Sequence, residues 1–221
     1  MDTTGLTEVE ERISAAARQC GRSDPIRLVV VAKYASDADV ARVVAAGATD
    51  LGENRADALV KRSNQFGDVV WHFVGRVQGN KARLIRPATQ LLHSMDRSNL
   101  VGYWSKGDAA TPPVLVQVNL AGEPQKAGVA PDEVRPIIEQ CTTAGIEVRG
   151  LMTVPPRPDV GSDSARWFAA LRQLRDDIRG DHPGVAELSM GMTDDFEVAI
   201  GEGATILRVG RAIFEPSSNE G

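Results

Sequence analysis

The sequence predicts an α/β fold: a single (β/α)8 TIM barrel with a leading N-terminal helix. Three observations carry that expectation. Eight short apolar runs of strand length recur along the chain, with segments between them that mostly read as helices. The runs are rich in Val, Ile and Leu, which suits parallel strands covered on both faces. The first run leads into Lys33-Tyr34-Ala35-Ser36 without the GxGxxG fingerprint that an open doubly wound sheet places there. The length of 221 residues is near the lower end for a barrel, so residues 1–221 are read as one domain with no room for a second.

Each element has its own signal. Residues 6–19 read as the leading helix, and 28–32 (LVVVA) as the first strand. Residues 37–46 (DADVARVVAA) form a helix, with Asp37 as the expected N-cap and Gly47 just past its end. Residues 48–52 (ATDLG), 71–75 (WHFVG), 91–95 (LLHSM) and 114–119 (VLVQVN) are the second to fifth strands. A helix over 131–144 opens on Pro131 and acidic residues and stops at Gly145. Residues 148–153 (VRGLMT) are the sixth strand, followed by a stiff loop, Pro155-Pro156-Arg157-Pro158. Residues 161–180 carry Trp167, Phe168, Leu171, Leu174 and Ile178 at helical spacing. Residues 186–190 (AELSM) and 205–209 (TILRV) complete the set.

Composition narrows the function classes. A net charge of −5 argues against a general nucleic-acid binder, while leaving room for a local anion pocket. The two cysteines, Cys20 and Cys141, form no CxxC pair, and with three histidines a zinc site has little support. No apolar run approaches the roughly 18 residues needed to span a membrane. The start of the chain is polar and acidic, unlike a secretion signal. A cytoplasmic, monomeric protein is expected.

In a barrel, residues just after each strand gather on one rim, and that rim holds the chemistry. Lys33 follows the first strand. A lysine partly desolvated there is suited to forming a Schiff base with an aldehyde; the plain alternative is a surface lysine. Ser189-Met190-Gly191-Met192 follows the seventh strand, and Gly210-Arg211 the eighth. A hydroxyl and two glycines at those two loops read as a phosphate cradle, or else as two ordinary turns. Arg208 alternates with Leu207 and Val209 and so should point into the barrel mouth. It is suited either to face a heteroaromatic nitrogen or to pair with a rim carboxylate such as Glu53 or Asp96. Asn54 is suited to a ligand oxygen or to capping the next helix. His72, inside a strand, reads as a satisfied core group, and Lys81, Arg83 and Arg86 as a solvated helix face.

A Schiff-base lysine joined to a phosphate cradle points to pyridoxal 5′-phosphate. The segments VVAKYAS (30–36), LGENRAD (51–57), WHFVGRVQGNK (71–81), HSMDR (93–97), VLVQVNLAGEPQKAG (114–128), GLMTVPP (150–156) and LSMGMTDDFEVAIGEGATILRVGRAIF (188–214) span nearly the whole chain. With them the chain resembles the pyridoxal-phosphate homeostasis protein family. The resemblance implies a barrel like the N-terminal domain of alanine racemase, with the cofactor as a Schiff base on Lys33. It implies that Ser189 and the backbone of Met190, Gly210 and Arg211 hold the phosphate, that Arg208 faces the pyridine nitrogen, and that Asn54 lies beside the cofactor. It also implies a carrier or regulator of pyridoxal phosphate, with apoenzymes that need the cofactor and amino acids as partners, and without clear turnover.

The chain departs from the family pattern at Arg211, where relatives often carry threonine, and at Tyr34, where a small hydroxyl residue is common. Two other readings fit part of this pattern. A small amino-acid racemase needs proton donors on both faces of the substrate carbon, and Lys33 supplies one face only. A phosphosugar-metabolising barrel fits the lysine and the cradle, but not the family segments.

Overall fold

All eight runs become parallel strands that hydrogen-bond in sequence order and close into a barrel. The computed structural model describes residues 4–107, 110–156 and 164–215. The strands are β1 (Arg27–Val31), β2 (Asp50–Glu53), β3 (Val70–Phe73), β4 (Leu91–Met95), β5 (Val114–Gln117), β6 (Val148–Met152), β7 (Glu187–Ser189) and β8 (Ile206–Val209). Closure comes from β1 pairing with β8, with Val29 opposite Arg208 and Val30 opposite Val209.

The helices are α1 (Thr4–Gln19), α2 (Asp37–Ala45), α3 (Ala56–Gln65), α4 (Gly79–Ile85), α5 (Ser98–Trp104), α6 (Val134–Thr143), α7 (Ala165–Arg179), α8 (Phe196–Gly201) and α9 (Arg211–Phe214). The leading helix α1 turns Leu6, Val9, Ile13 and Ala16 inward at helical spacing. It packs on α8 and α9. Arg22, just past its end, donates to the carbonyls of Ile200 and Ala204 and ties the end of α8.

Alternation along the strands sorts side chains into two cores. Outward-facing residues such as Val30, Leu51, Trp71, Leu92, Val116, Leu151, Leu188 and Leu207 pack with the helices in the main core. A separate cluster of Val29, Leu91, Leu115, Met152 and Ile206 fills the barrel interior. The interior also holds polar groups: His72, His93, Ser189 and Arg208 sit at inward positions and are all buried. This polar filling departs from the bulky aliphatic layers usual inside such barrels.

Three local expectations change, and a fourth lies partly outside the described residues. Asp37 is not the N-cap of α2. Ser36 is extended there, its Oγ accepts the Asp39 N–H at 3.1 Å, and its own N–H donates to the Asp39 carboxylate at 3.0 Å. Strand β2 begins at Asp50 and not at residue 48, because Ala48 still donates to Val43 O while Gly47 turns the chain at φ +106°. Arg86 is buried and donates to the Lys106 carbonyl, so it is no part of a solvated face. The helix expected over 161–180 is described from Ala165 on; residues 161–163, and Arg157 and Pro158 of the stiff loop, lie outside the described residues.

Candidate functional site

The rim beyond the strand ends brings three pieces together on adjacent strands. The Lys33 turn follows β1, Arg208 lies in β8 beside β1, and the β7–α8 and β8–α9 loops meet next to them. The turn and the β8 loop touch: a Cβ built on Gly210 would lie 2.6 Å from the Val31 carbonyl oxygen. Only glycine allows that approach, so packing is its first reason for being there.

Lys33 is exposed, with its Nζ 4.8 Å from the centroid of the Tyr34 ring. This corrects the expectation of a partly desolvated ammonium. Strand β1 ends at Val31, and Ala32 to Ala35 already form a turn, with Ala35 N–H donating to Ala32 O at 3.0 Å. The turn is anchored from below. Buried Arg62 of α3 donates to the carbonyls of Ala32, at 2.8 Å, and Ala35, which bracket Lys33. The same guanidinium binds Asp37 and buried Glu53. Burial pushes the Glu53 carboxyl upward, and the Arg62 charge opposes that shift. Sequence reasoning missed Arg62 entirely; a lone arginine inside an amphipathic helix carries no signal of what it reaches.

Arg208 points into the barrel as its alternation predicted and is buried. It does not pair with Glu53 or Asp96. Glu53 binds Arg62, and Asp96 binds Arg76 and Arg97. Arg208 instead donates Nη1 to Ser189 Oγ at 2.5 Å and Nη2 to Thr153 O at 2.9 Å. Burial pulls its guanidinium down to about 10, with half-buried Asp195 opposing, so it remains a cation at neutral pH. Two of its five N–H donors are accounted for by those bonds.

The loop residues divide differently from expectation. The Ser189 hydroxyl is fully buried between Arg208 and His93, with His93 Nδ1 at 2.9 Å. The Met190 N–H donates to Ile206 O at 3.1 Å and its side chain lies in the main core. Both groups are therefore engaged in the barrel wall. Gly191 takes φ +91°, where a Cβ would lie 2.6 Å from Ala199. Beyond it, Thr193 and Asp194 reach across to the last helix. Thr193 Oγ1 lies 3.5 Å from Ala212 N, and Asp194 binds the exposed Arg211 side chain. The first-turn amides of α9, from Gly210 to Ala212, have no acceptor within their own helix. Thr193 was missed because its hydroxyl joins the site only through the loop crossing.

Asn54 sits exposed at the rim after β2 and does not cap α3, whose N-cap is Arg55. Its backbone packs against Gly75 in the next loop. Among the described residues, no group of His, Cys, Asp and Glu is arranged to hold a metal. Both cysteines are free, and burial pushes the Cys141 thiol up to about 12. No described helix is long and apolar enough to cross a membrane.

No family model matches the chain. Curated relatives do. It is 37% identical to a pyridoxal phosphate homeostasis protein of Pseudomonas aeruginosa, over 95% of this chain and 93% of the relative. It is 36% identical to one of Aquifex aeolicus, over 95% of each. Among solved structures, an unknown protein from Bifidobacterium adolescentis superposes with a TM-score of 0.86 at 33% identity, covering 96% of this chain and 94% of that one. PipY of Synechococcus elongatus, solved with pyridoxal phosphate bound, superposes at 0.75 with 28% identity, covering 92% and 99%. Alanine racemase from Corynebacterium glutamicum superposes at 0.71 over 92% of this chain and 60% of that one. At 19% identity that likeness concerns the fold alone.

Proposed function

The chain belongs to the pyridoxal phosphate homeostasis protein family, and we propose that it binds pyridoxal 5′-phosphate as an imine on Lys33 and acts as a carrier or regulator without turnover. The observation that carries this reading is the placement of the Lys33 turn, Arg208 and the β7–β8 loops side by side on one rim. The cofactor offers an aldehyde, a ring nitrogen and a phosphate, and these three features match it in chemistry. PipY, solved with pyridoxal phosphate bound, supports the choice of cofactor.

In this reading the phosphate is held by the Thr193 hydroxyl and the amides of Gly210 and Arg211, because the Ser189 hydroxyl and Met190 N–H are already engaged. Arg208 presents a permanent cation to the ring nitrogen and keeps it unprotonated, which weakens the electron sink that most chemistry of this cofactor uses. Asn54 borders the cofactor from the second loop. The whole barrel serves as one binding domain of a cytoplasmic, monomeric protein, and its partners are amino acids and apoenzymes that need the cofactor.

The tyrosines argue against the racemase reading. Tyr34 is 85% exposed with Lys33 over its ring, and Tyr103 lies on α5 against Gly79, outside the barrel. Neither is held as a second base across from Lys33. Titration with pyridoxal phosphate tests the proposal. The expected result is a yellow protein with an imine band that Lys33→Ala abolishes, and no racemisation of alanine or serine above that of free cofactor. An unchanged band in Lys33→Ala, or clear racemisation, would overturn it.

A further inference from the structure

The barrel interior holds an unbroken hydrogen-bonded chain that the cofactor reading leaves unused. Arg208 Nη1 meets Ser189 Oγ at 2.5 Å, and Ser189 Oγ meets His93 Nδ1 at 2.9 Å. His93 Nε2 meets His72 Nδ1 at 2.9 Å, and His72 Nε2 meets Asp50 Oδ1 at 3.0 Å. The links join β8, β7, β4, β3 and β2, so the chain crosses the barrel from the mouth toward the opposite end. Ser189, His93 and His72 have no exposed surface, and Arg208 retains 5%. We propose that Ser189, His93, His72 and Asp50 are positioning residues for Arg208, forming a one-way donor chain that fixes the guanidinium at the ring nitrogen of the cofactor.

The two ends set the direction. A guanidinium only donates, so the Ser189 oxygen accepts from Arg208 and its own hydrogen is left for His93 Nδ1. An Asp50 carboxylate only accepts, so His72 Nε2 carries the hydrogen at the far end. A neutral imidazole has one donor and one acceptor, so His72 Nδ1 accepts and His93 Nε2 donates. Every link is then satisfied with both histidines neutral and protonated on Nε2. Burial favours that neutral state by lowering both imidazoles, His93 the more strongly.

The charged surroundings agree with this order. Arg27 lies 3.5 Å from Asp50, Thr49 donates to the same carboxylate, and the negative charge of Asp195 offsets part of the burial of Arg208. A protonated histidine in the middle would face a cation at each end, Arg27 and Arg208. It would also end the common direction, because it has no acceptor nitrogen left and the Ser189 oxygen would then accept from both of its neighbours. Chains of this kind polarise one another in a dry interior, so each bond tightens the next. A simple polar filler has no need of a common direction along four links.

The inference rests on the reading that Arg208 faces the cofactor, and its test separates the two. Nitrogen-15 NMR of histidine-labelled protein, prepared without cofactor, reports tautomers directly. The expected result is Nε2–H for both His72 and His93 at neutral pH. An Nδ1–H tautomer or an imidazolium at either position would overturn the chain while leaving the imine on Lys33 untouched. In loaded protein, His93→Gln and His72→Gln should lower the apparent pKa of the imine by about one unit, since a loosened Arg208 lets the ring nitrogen take a proton. Leu92→Val, on the outer face of β4, should leave that profile in place. Equal profiles in all three variants would also overturn the proposal.

Discussion

At the barrel mouth, Lys33, Tyr34, Asn54 and Arg211 are exposed and make contacts that leave them free to rearrange. A few residues deeper along the axis, Ser189, His93, His72 and Arg208 are buried and held by bonds at both ends. The two regions divide the work. The mouth supplies groups that meet a ligand and must reach it, whereas the axis supplies a fixed charge that the ligand must accommodate. A pre-set arginine costs nothing to orient when the cofactor arrives, because folding has already ordered it.

The strongest way to blur this contrast is to loosen the mouth from beneath. Arg62→Ala leaves Glu53 buried without its partner and frees both carbonyls around Lys33. Breaking a buried pair this way typically costs roughly 3–5 kcal/mol. A large fall in Tm and a weaker imine band are expected in calorimetry and cofactor titration. An unchanged Tm would mean that the Lys33 turn stands without Arg62.

Acid probes the axis instead. Both histidines have folded-state values below the ordinary 6.5, so between those values and 6.5 the unfolded chain binds more protons. Their contribution is therefore complete above about pH 6.5 and is lost as the pH falls through the lowered values, by up to about 1.4 kcal/mol per histidine per pH unit. Urea melts across pH 5 to 7 should show this slope in the wild type and a shallower one in His72→Gln and His93→Gln. Parallel slopes would contradict the neutral, buried chain.

The mildest change is Arg211→Thr. The Arg211–Asp194 pair lies in solvent, so no measurable change in Tm is expected. The variant restores a residue common in relatives beside the α9 amides. A modest gain or loss of cofactor affinity by equilibrium dialysis would place that side chain at the phosphate; equal affinity would keep it outside.

The fold was legible because parallel strands buried on both faces leave continuous apolar runs, and all eight were found. The misplaced start of β2 came from Ala48, an apolar residue spent on finishing a helix. Individual rim residues were legible where strand alternation fixes direction, as at Arg208. They were hidden where long-range contacts decide. Ser189 reads as a loop hydroxyl, yet it closes β7 and faces inward to His93, 96 residues away in sequence. His72 was rightly read as a satisfied core group, but nothing local says that its partners are Asp50 and His93. Arg62 and Thr193 gave no sign, since each acts through a contact between separate loops.

The account turns on one covalent bond. Loaded protein reduced with borohydride, digested and sequenced by mass spectrometry locates it directly. A single pyridoxyl group on the peptide carrying Lys33 is the predicted result. A reduced adduct on Lys81, Lys106 or Lys126 with Lys33 unmodified would contradict it.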